Sequence, residues 1–313
     1  MQTVIIGHNF KNLGHLLLFF IAILSLSQSA NLVRAAAAPA LMIGFWRLLG
    51  AAFLMLGLRF WNSKKNGQSF FEPVSKSAWS WAFLSGSFFF LHLWTFFYAA
   101  QNTSIANCMV IFATNPIFTA LVAWLLLKDR FEKRYAVAFV LAFSGVAALA
   151  SDRLAWDTAR SGDLSALVSA VFIALYMVTG KRARLEMSND QFSWVIYIWT
   201  AVLFLVAGTF QQTQWLGYPT FTWWAILGTI LFPTLLGHVL MTHLLKHFNI
   251  NWMSCGKLLE PALSSAVAFL VFDEKLKIQT LIAFGFTVAA VFVLFWPLLF
   301  RKSAPLQELE TEL

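Results

Sequence analysis

Lys257 and Glu260 lie three residues apart inside an apolar stretch near 250–272. Every other carboxylate of the chain falls in a loop, a tail or a span end; Glu260 does not. Residues three apart on a helix share a face, so the spacing predicts a cation and an anion presented together. Charges in an apolar medium are costly, usually face a bundle interior, and often mark a transport path. Two chemistries follow. Either the pair engages a substrate or a proton, or it closes on itself as an ion pair that locks its helix.

Other residue types add to this picture. Pro116 and Pro261 each remove a helix hydrogen bond to the carbonyl four residues earlier, at Phe112 and Lys257. Freed carbonyls at membrane depth are tolerated only where protein or a water-lined cavity satisfies them. The two prolines therefore read as hinges beside a midplane site, or as helix-shape tuning. Asn31, Gln28 and Asn115 are polar groups in apolar stretches; they bridge helices or line a cavity. His92, His238 and His243 can change charge near neutral pH. That makes proton coupling through Glu260, His92 and His238 conceivable, although a lone histidine in a helix is more often a packing residue. Phe90, Trp94 and Tyr98 recur every four residues and share a face. They could form an aromatic wall that stacks on flat groups or holds a cation, with Tyr176 adding to it. Lipid contact is the alternative, since Phe is abundant throughout (33 residues). Trp79 and Trp81 read as an interfacial belt. No HExxH or other zinc spacing occurs, nor a G-x-S-x-G or paired aspartates, so no metal site, cofactor or catalytic role is expected. Cys108 and Cys255 offer no disulfide framework.

These residues must be positioned by membrane helices. The chain has 313 residues, 59% hydrophobic and 12% charged, with a mean hydropathy of +0.71. A soluble domain carries about 25% charged residues, so an ordinary globular enzyme and a disordered chain are both excluded. Apolar stretches occur near 13–31, 39–60, 79–99, 104–127, 135–151, 163–180, 192–210, 221–244, 250–272 and 279–299. With no water in the bilayer core each must be a helix. The sixth is the shortest. The first could pass for a signal peptide, with small residues at 35–38, but the repeat described next needs it as a helix.

Placing the N-terminus inside puts 15 Lys and Arg in cytoplasmic segments and 5 outside, with Arg47 and Lys257 inside spans. The net charge of +8 therefore reads as the positive-inside rule rather than as nucleic-acid binding. An internal repeat at an offset of 145 aligns Pro116 with Pro261 and Asp129-Arg130 with Glu274-Lys275. The halves are 1–155 and 156–300, five helices each, followed by a short cytoplasmic tail at 301–313. An odd number of helices per half inverts the second copy, as in many alternating-access transporters. Small residues at Ala138, Ala142 and Gly145, and at Gly285 and Ala289, read as packing faces.

Pro39-Ala-Leu-Met-Ile-Gly-Phe-Trp-Arg47, Asn115-Pro116 with Asp129 beyond it, Glu260-Pro261 with Glu274 beyond it, and Gly162-Asp163 resemble the EamA-type family of the drug/metabolite transporter superfamily. The resemblance covers essentially the whole chain. It implies an all-α integral membrane protein of ten transmembrane helices in two inverted five-helix repeats. A central cavity is then formed mainly by helices 1, 3, 4, 6, 8 and 9. It also implies a helix-bridging, structural part for Arg47. The Glu-Pro step recurs in relatives with many substrates, which favours a structural part for Glu260; Lys257 is not expected from the family pattern and so points to this protein's own substrate.

The sequence thus reads as a multi-pass transporter of the cell (inner) membrane, both termini cytoplasmic, monomer or homodimer. A cation, an anion and aromatic walls suit a zwitterion such as an amino acid. Substrate contacts are expected from Lys257, Glu260, Trp94, Phe90, Tyr98, Asn115, Tyr176 and Asn31, with protons as a coupling ion. A cationic metabolite or drug would depend on Glu260 and the aromatics. A nucleotide-like metabolite such as S-adenosylmethionine would depend on Lys257 and Arg47. A channel would need a charged ring from symmetric subunits, which the sequence does not offer.

Overall fold

A computed structural model describes residues 10–67, 69–70, 73–127, 133–150, 158–244, 257 and 259–300. Every regular element among them is helical. In chain order they are α1 (Phe10–Ser27), α2 (Ser29–Ala36), α3 (Ala40–Asn66), α4 (Lys76–Asn102), α5 (Ile105–Phe112) and α6 (Asn115–Leu127). Then follow α7 (Lys133–Ala150), α8 (Thr158–Ala183), α9 (Asn189–Phe210), α10 (Thr220–Thr229), a π segment (Ile230–Val239), α11 (Leu240–Leu244), α12 (Leu259–Phe272) and α13 (Ile278–Phe300). Among the described residues seven spans are long and apolar enough to cross a membrane, with α1 and α2, and α5 and α6, each counted together. Ala136–Ala148, Leu259–Phe272 and Ile278–Val293 are shorter apolar helices. Asp129, Arg130, Cys255 and the tail lie outside the described residues.

Local chemistry sets the boundaries. Ser75, Ser104 and Ser188 cap α4, α5 and α9, their hydroxyls accepting the amides of Ala78, Asn107 and Gln191 at 3.1, 3.1 and 3.4 Å. Gly67 ends α3 in the left-handed region (φ 64°), where its N–H closes onto the Ser63 carbonyl. The sixth stretch is longer than its hydropathy predicts. The α8 helix opens at Thr158, so Gly162-Asp163 lie in its second turn, and polar residues hide both ends of the helix from a hydropathy reading.

The π segment has an identifiable cause. Pro233 lacks the N–H that would reach Thr229, and the Thr234 hydroxyl donates to that carbonyl instead, at 3.0 Å. The turn widens by one residue as a result.

Helices pair across the two halves: α3 with α9, α4 with α8, α5 with α12, α7 with α13, α1 with the π segment and α2 with α10. Small residues allow the close approaches. A Cβ on Gly162 would lie 2.9 Å from the backbone of Asn102 and Thr103, so α8 comes this close to the end of α4 because residue 162 is a glycine. A Cβ on Gly145 would meet the Phe286 Cβ at 3.0 Å and the Ala283 carbonyl at 3.1 Å. On α13 the contact face is Ala283, Thr287 and Ala290, not Gly285 and Ala289; Gly285 faces outward with open space around it. Outward faces are otherwise apolar, Phe53, Trp61, Phe210 and Leu270 among them, as a lipid-facing surface requires.

One end of the bundle is tied by Arg59, only 2% exposed. It donates to the Phe70 carbonyl (2.6 Å), Asp190 (3.1 Å), Ser188 (3.3 Å) and Gln191 (2.9 Å), joining α3 to α9. Nearby, the Ser75 amide and hydroxyl donate to the Glu186 carboxylate at 2.9 and 2.8 Å, and these bonds hold that carboxyl below its ordinary range.

Candidate functional site

The fourth apolar stretch changes course beside its proline, and the ninth is described from Lys257 and then from Leu259 onward. The α5 helix stops at Phe112, Ala113 and Thr114 form a turn, and α6 begins at Asn115. Pro116 is therefore the second residue of a new helix, where its missing N–H has no intrahelical partner to lose. The α12 helix begins at Leu259, and Pro261 is its third residue. Pro116 starts a new helix rather than kinking a continuous one, and Pro261 stands in the first turn of α12. The two carbonyls expected to be freed are satisfied by the protein. Asn115 Nδ2 donates to the Phe112 carbonyl at 3.0 Å, and the Glu260 amide donates to the Lys257 carbonyl at 2.9 Å.

The two breaks face each other across a cavity lined by Met109, Phe112, Ala113, Asn115, Pro116, Lys257, Glu260 and Pro261. It encloses roughly 330 Å³ counted to its open edge. It is narrow, with room for water and not for a metabolite. Lys257 precedes the first turn of α12 rather than lying on a shared helix face, yet both charges reach this one cavity.

Lys257 and Glu260 form no ion pair with each other. Glu260 is 8% exposed and its Oε1 has no hydrogen-bond partner among the described residues. The first turn of a helix suits a carboxylate, but an unpaired buried carboxylate oxygen is expensive. One turn along α12, Ser264 accepts from Asn31 Nδ2 through its carbonyl (3.2 Å) and hydroxyl (3.4 Å). Asn31 Nδ2 also donates to Gln28 at 3.1 Å, while Asn31 Oδ1 is buried without a partner among the described residues. Two such acceptors thus flank the α2–α12 seam, and Lys257 lines the same cavity as Glu260.

The aromatic wall is differently composed from the one the spacing predicts. Phe90 stacks on Trp94 (5.7 Å) and meets Phe204 edge-on (4.8 Å), and the Tyr98 hydroxyl contacts Ser161 (3.1 Å). None of the three lines the cavity. The inward stripe of α4 is Ser85, Phe89, His92 and Phe96. His92 stacks at 5.4 Å on Phe112, a cavity residue, and Phe89 stacks at 4.7 Å on Tyr176. The buried polar residues Ser85 and His92 carried the signal for this face, because a membrane helix turns its polar groups inward.

His92 Nδ1 contacts the Ser169 hydroxyl (2.8 Å) and carbonyl (3.2 Å), so it carries the proton and donates. His238 meets Phe89 edge-on at 6.1 Å. The side chain of His243 lies outside the described residues. Arg47 is fully buried. It donates to Ser29 (3.2 Å) and Thr234 (3.1 Å) and lies 5.5 Å over the Phe97 ring, touching α2, the π segment and α4.

Comparison with known proteins gives concordant results. The model of the EamA-like transporter family matches residues 13–151 and again 160–296. A Bacillus subtilis (strain 168) protein named "Uncharacterized transporter YyaM" is 28% identical over 238 residues, covering 72% of this chain and 75% of that protein. A solved crystal structure superposes with a TM-score of 0.64 at 17% identity, covering 92% of this chain and 99% of the other. At that identity the likeness concerns the fold alone.

Proposed function

The chain belongs to the EamA-like transporter family, and from that premise we propose that it moves a small zwitterionic metabolite, an amino acid or a close derivative, by alternating access. Ten crossings form two inverted halves, 1–155 and 156–300, in the cell (inner) membrane with both termini cytoplasmic. Helix pairing supports this reading. An exchange of the halves turns the contact of the third stretch with the sixth (α4 with α8) into that of the eighth with the first (the π segment with α1). It maps the pairs α3–α9, α5–α12 and α7–α13 onto themselves. Asn115 and Glu260 are equivalent at the offset of 145, so the cavity lies on the axis relating the halves.

The observation that carries the substrate class is the cavity's unpaired chemistry: a lysine, a carboxylate with an orphaned oxygen, and no ion pair between them. Lys257 receives the substrate carboxylate. Glu260 Oε1 and Asn31 Oδ1 accept from its ammonium, which has three N–H donors. Asn115 fixes the opposite break. Met109 and Phe112 pack the substrate's apolar part, backed by His92, Phe89 and Tyr176, while Phe90, with Trp94 stacked on it, braces α4 against α9 and Tyr98 reaches Ser161 of α8. Glu260 also carries the coupling proton when substrate is absent. The narrow cavity corresponds to a closed state, and one half rocks against the other to admit substrate.

Purified protein in liposomes tests the reading with a panel of labelled amino acids, simple amines and nucleotides. Saturable uptake confined to zwitterions is expected. Uptake of amines that ignores the loss of Lys257 would replace the zwitterion with a cation, and a conductance that never saturates would replace the carrier with a channel.

A further inference from the structure

The far end of the bundle from Arg59 holds a second arginine node. Arg34, in the last turn of α2, donates to the Ala100 carbonyl from Nε (2.8 Å) and from a terminal nitrogen (2.5 Å), and to the Thr103 carbonyl. Its other terminal nitrogen forms an ion pair with Glu274, just past α12, and its plane lies 5.8 Å over the Phe272 ring. Glu274 Oε2 accepts the Ile105 amide at 2.9 Å, and the Thr103 hydroxyl donates to Asp163 of α8 at 2.5 Å. One guanidinium therefore gathers the ends of α2, α4, α5 and α12, and reaches α8 through Thr103.

Its place relative to the cavity gives the node meaning. The start of α5 and the end of α12 meet at Arg34 and Glu274; the end of α5 and the start of α12 meet at the cavity. The eight residues of α5 put the two levels about 12 Å apart. The cavity can open toward that end only if α5 and α12 separate there. Arg59, by contrast, ties α3 to α9, neither of which lines the cavity. The side chains of Arg34 and Glu274 are 20% and 18% exposed. Such a pair is wet enough to break and reform, while its charge-assisted bonds favour the closed arrangement.

We propose that Arg34 and Glu274 form the gate that closes the transport pathway at the end holding residues 101–104 and 273–277, the outer end if both termini are cytoplasmic. The proposal rests on the transport reading but on no particular substrate. Opening breaks the Arg34–Glu274 pair and withdraws Glu274 from the Ile105 amide, and substrate reaches Lys257 and Glu260 between α5 and α12.

The test uses the full chain in membrane vesicles, with Cys108→Ala, Cys255→Ser and a single reporter, Ala113→Cys, in the cavity wall. A membrane-impermeant maleimide is applied from each side in turn. Arg34→Ala and Glu274→Gln are expected to speed labelling from the gate side about tenfold, a shift of roughly one order in the open population. Arg34→Glu combined with Glu274→Arg should return labelling toward the starting rate, which a merely unfolded protein would not do. Glu186→Gln, at the opposite end, should leave it unchanged. Unaltered labelling in both single variants would overturn the gate, as would equal acceleration from both sides. Because the assay contains no substrate, a failure of the zwitterion reading leaves this result intact, and a failure of the gate leaves uptake to be judged separately.

Discussion

Replacing Glu260 with Gln is expected to abolish accumulation of substrate in liposomes while leaving a protein at least as thermally stable as the parent. Both halves of this outcome come from the same oxygen. Glu260 Oε1 is buried without a partner, so its charge is a burden on folding, and a neutral amide of the same shape relieves it. For transport the balance reverses. A charge-assisted hydrogen bond to an ammonium contributes about 1.5–3 kcal/mol, and its loss raises half-saturation roughly 10- to 100-fold. Proton-driven uptake also loses its carrier, whereas substrate exchange at high concentration survives. Uptake measured with and without a pH gradient separates the two effects. Unchanged accumulation by Glu260→Gln would show that the carboxylate is structural.

Arg47 gives the second large effect, in stability rather than transport. Arg47→Ala removes a fully buried stem and leaves the Ser29 and Thr234 hydroxyls and the Phe97 face without their shared partner. A loss of about 2–4 kcal/mol is expected, visible as a large drop in the thermal unfolding midpoint in detergent. Arg47→Met keeps most of the volume and removes a buried charge, so its stability should stay within about 1 kcal/mol of the parent. Half-saturation for substrate should be unaffected in Arg47→Met. A stable Arg47→Met protein that no longer binds substrate would move Arg47 from the scaffold into the site and favour an anionic, nucleotide-like substrate.

The membrane-helical character, and seven of the spans, were legible because hydropathy records a thermodynamic demand: a chain with so few charges has nowhere else to put its apolar runs. From the sequence, Pro116 and Pro261 read as hinges beside a midplane site or as helix-shape tuning. The structure ends one helix and starts another at Pro116, and side-chain and turn hydrogen bonds that no periodicity reveals satisfy the carbonyls. Lys257 and Glu260 were legible as a pair because charge is scarce; that they remain apart depends on where α12 begins. On α4, the four-residue recurrence of Phe90, Trp94 and Tyr98 selects residues that meet Phe204 of α9 and Ser161 of α8 rather than the cavity, since spacing defines faces without saying which one lines a cavity. His92 and Ser85 held that information. Arg34 carries no signal in the sequence beyond its positive charge, because its partners on α4, α5 and the loop after α12 are distant in the chain.

The central claim is that Lys257 and Glu260 hold the two ends of a zwitterion. Thermal unfolding of the parent, Lys257→Gln and Glu260→Gln, each with an amino acid, its methyl ester and its decarboxylated amine, tests it most directly. The parent should be stabilised by the amino acid and far less by either edited ligand. Lys257→Gln should no longer distinguish amino acid from ester, because the partner of the carboxylate is gone. Equal stabilisation of all three proteins by the same ligand would place the substrate elsewhere and contradict the account.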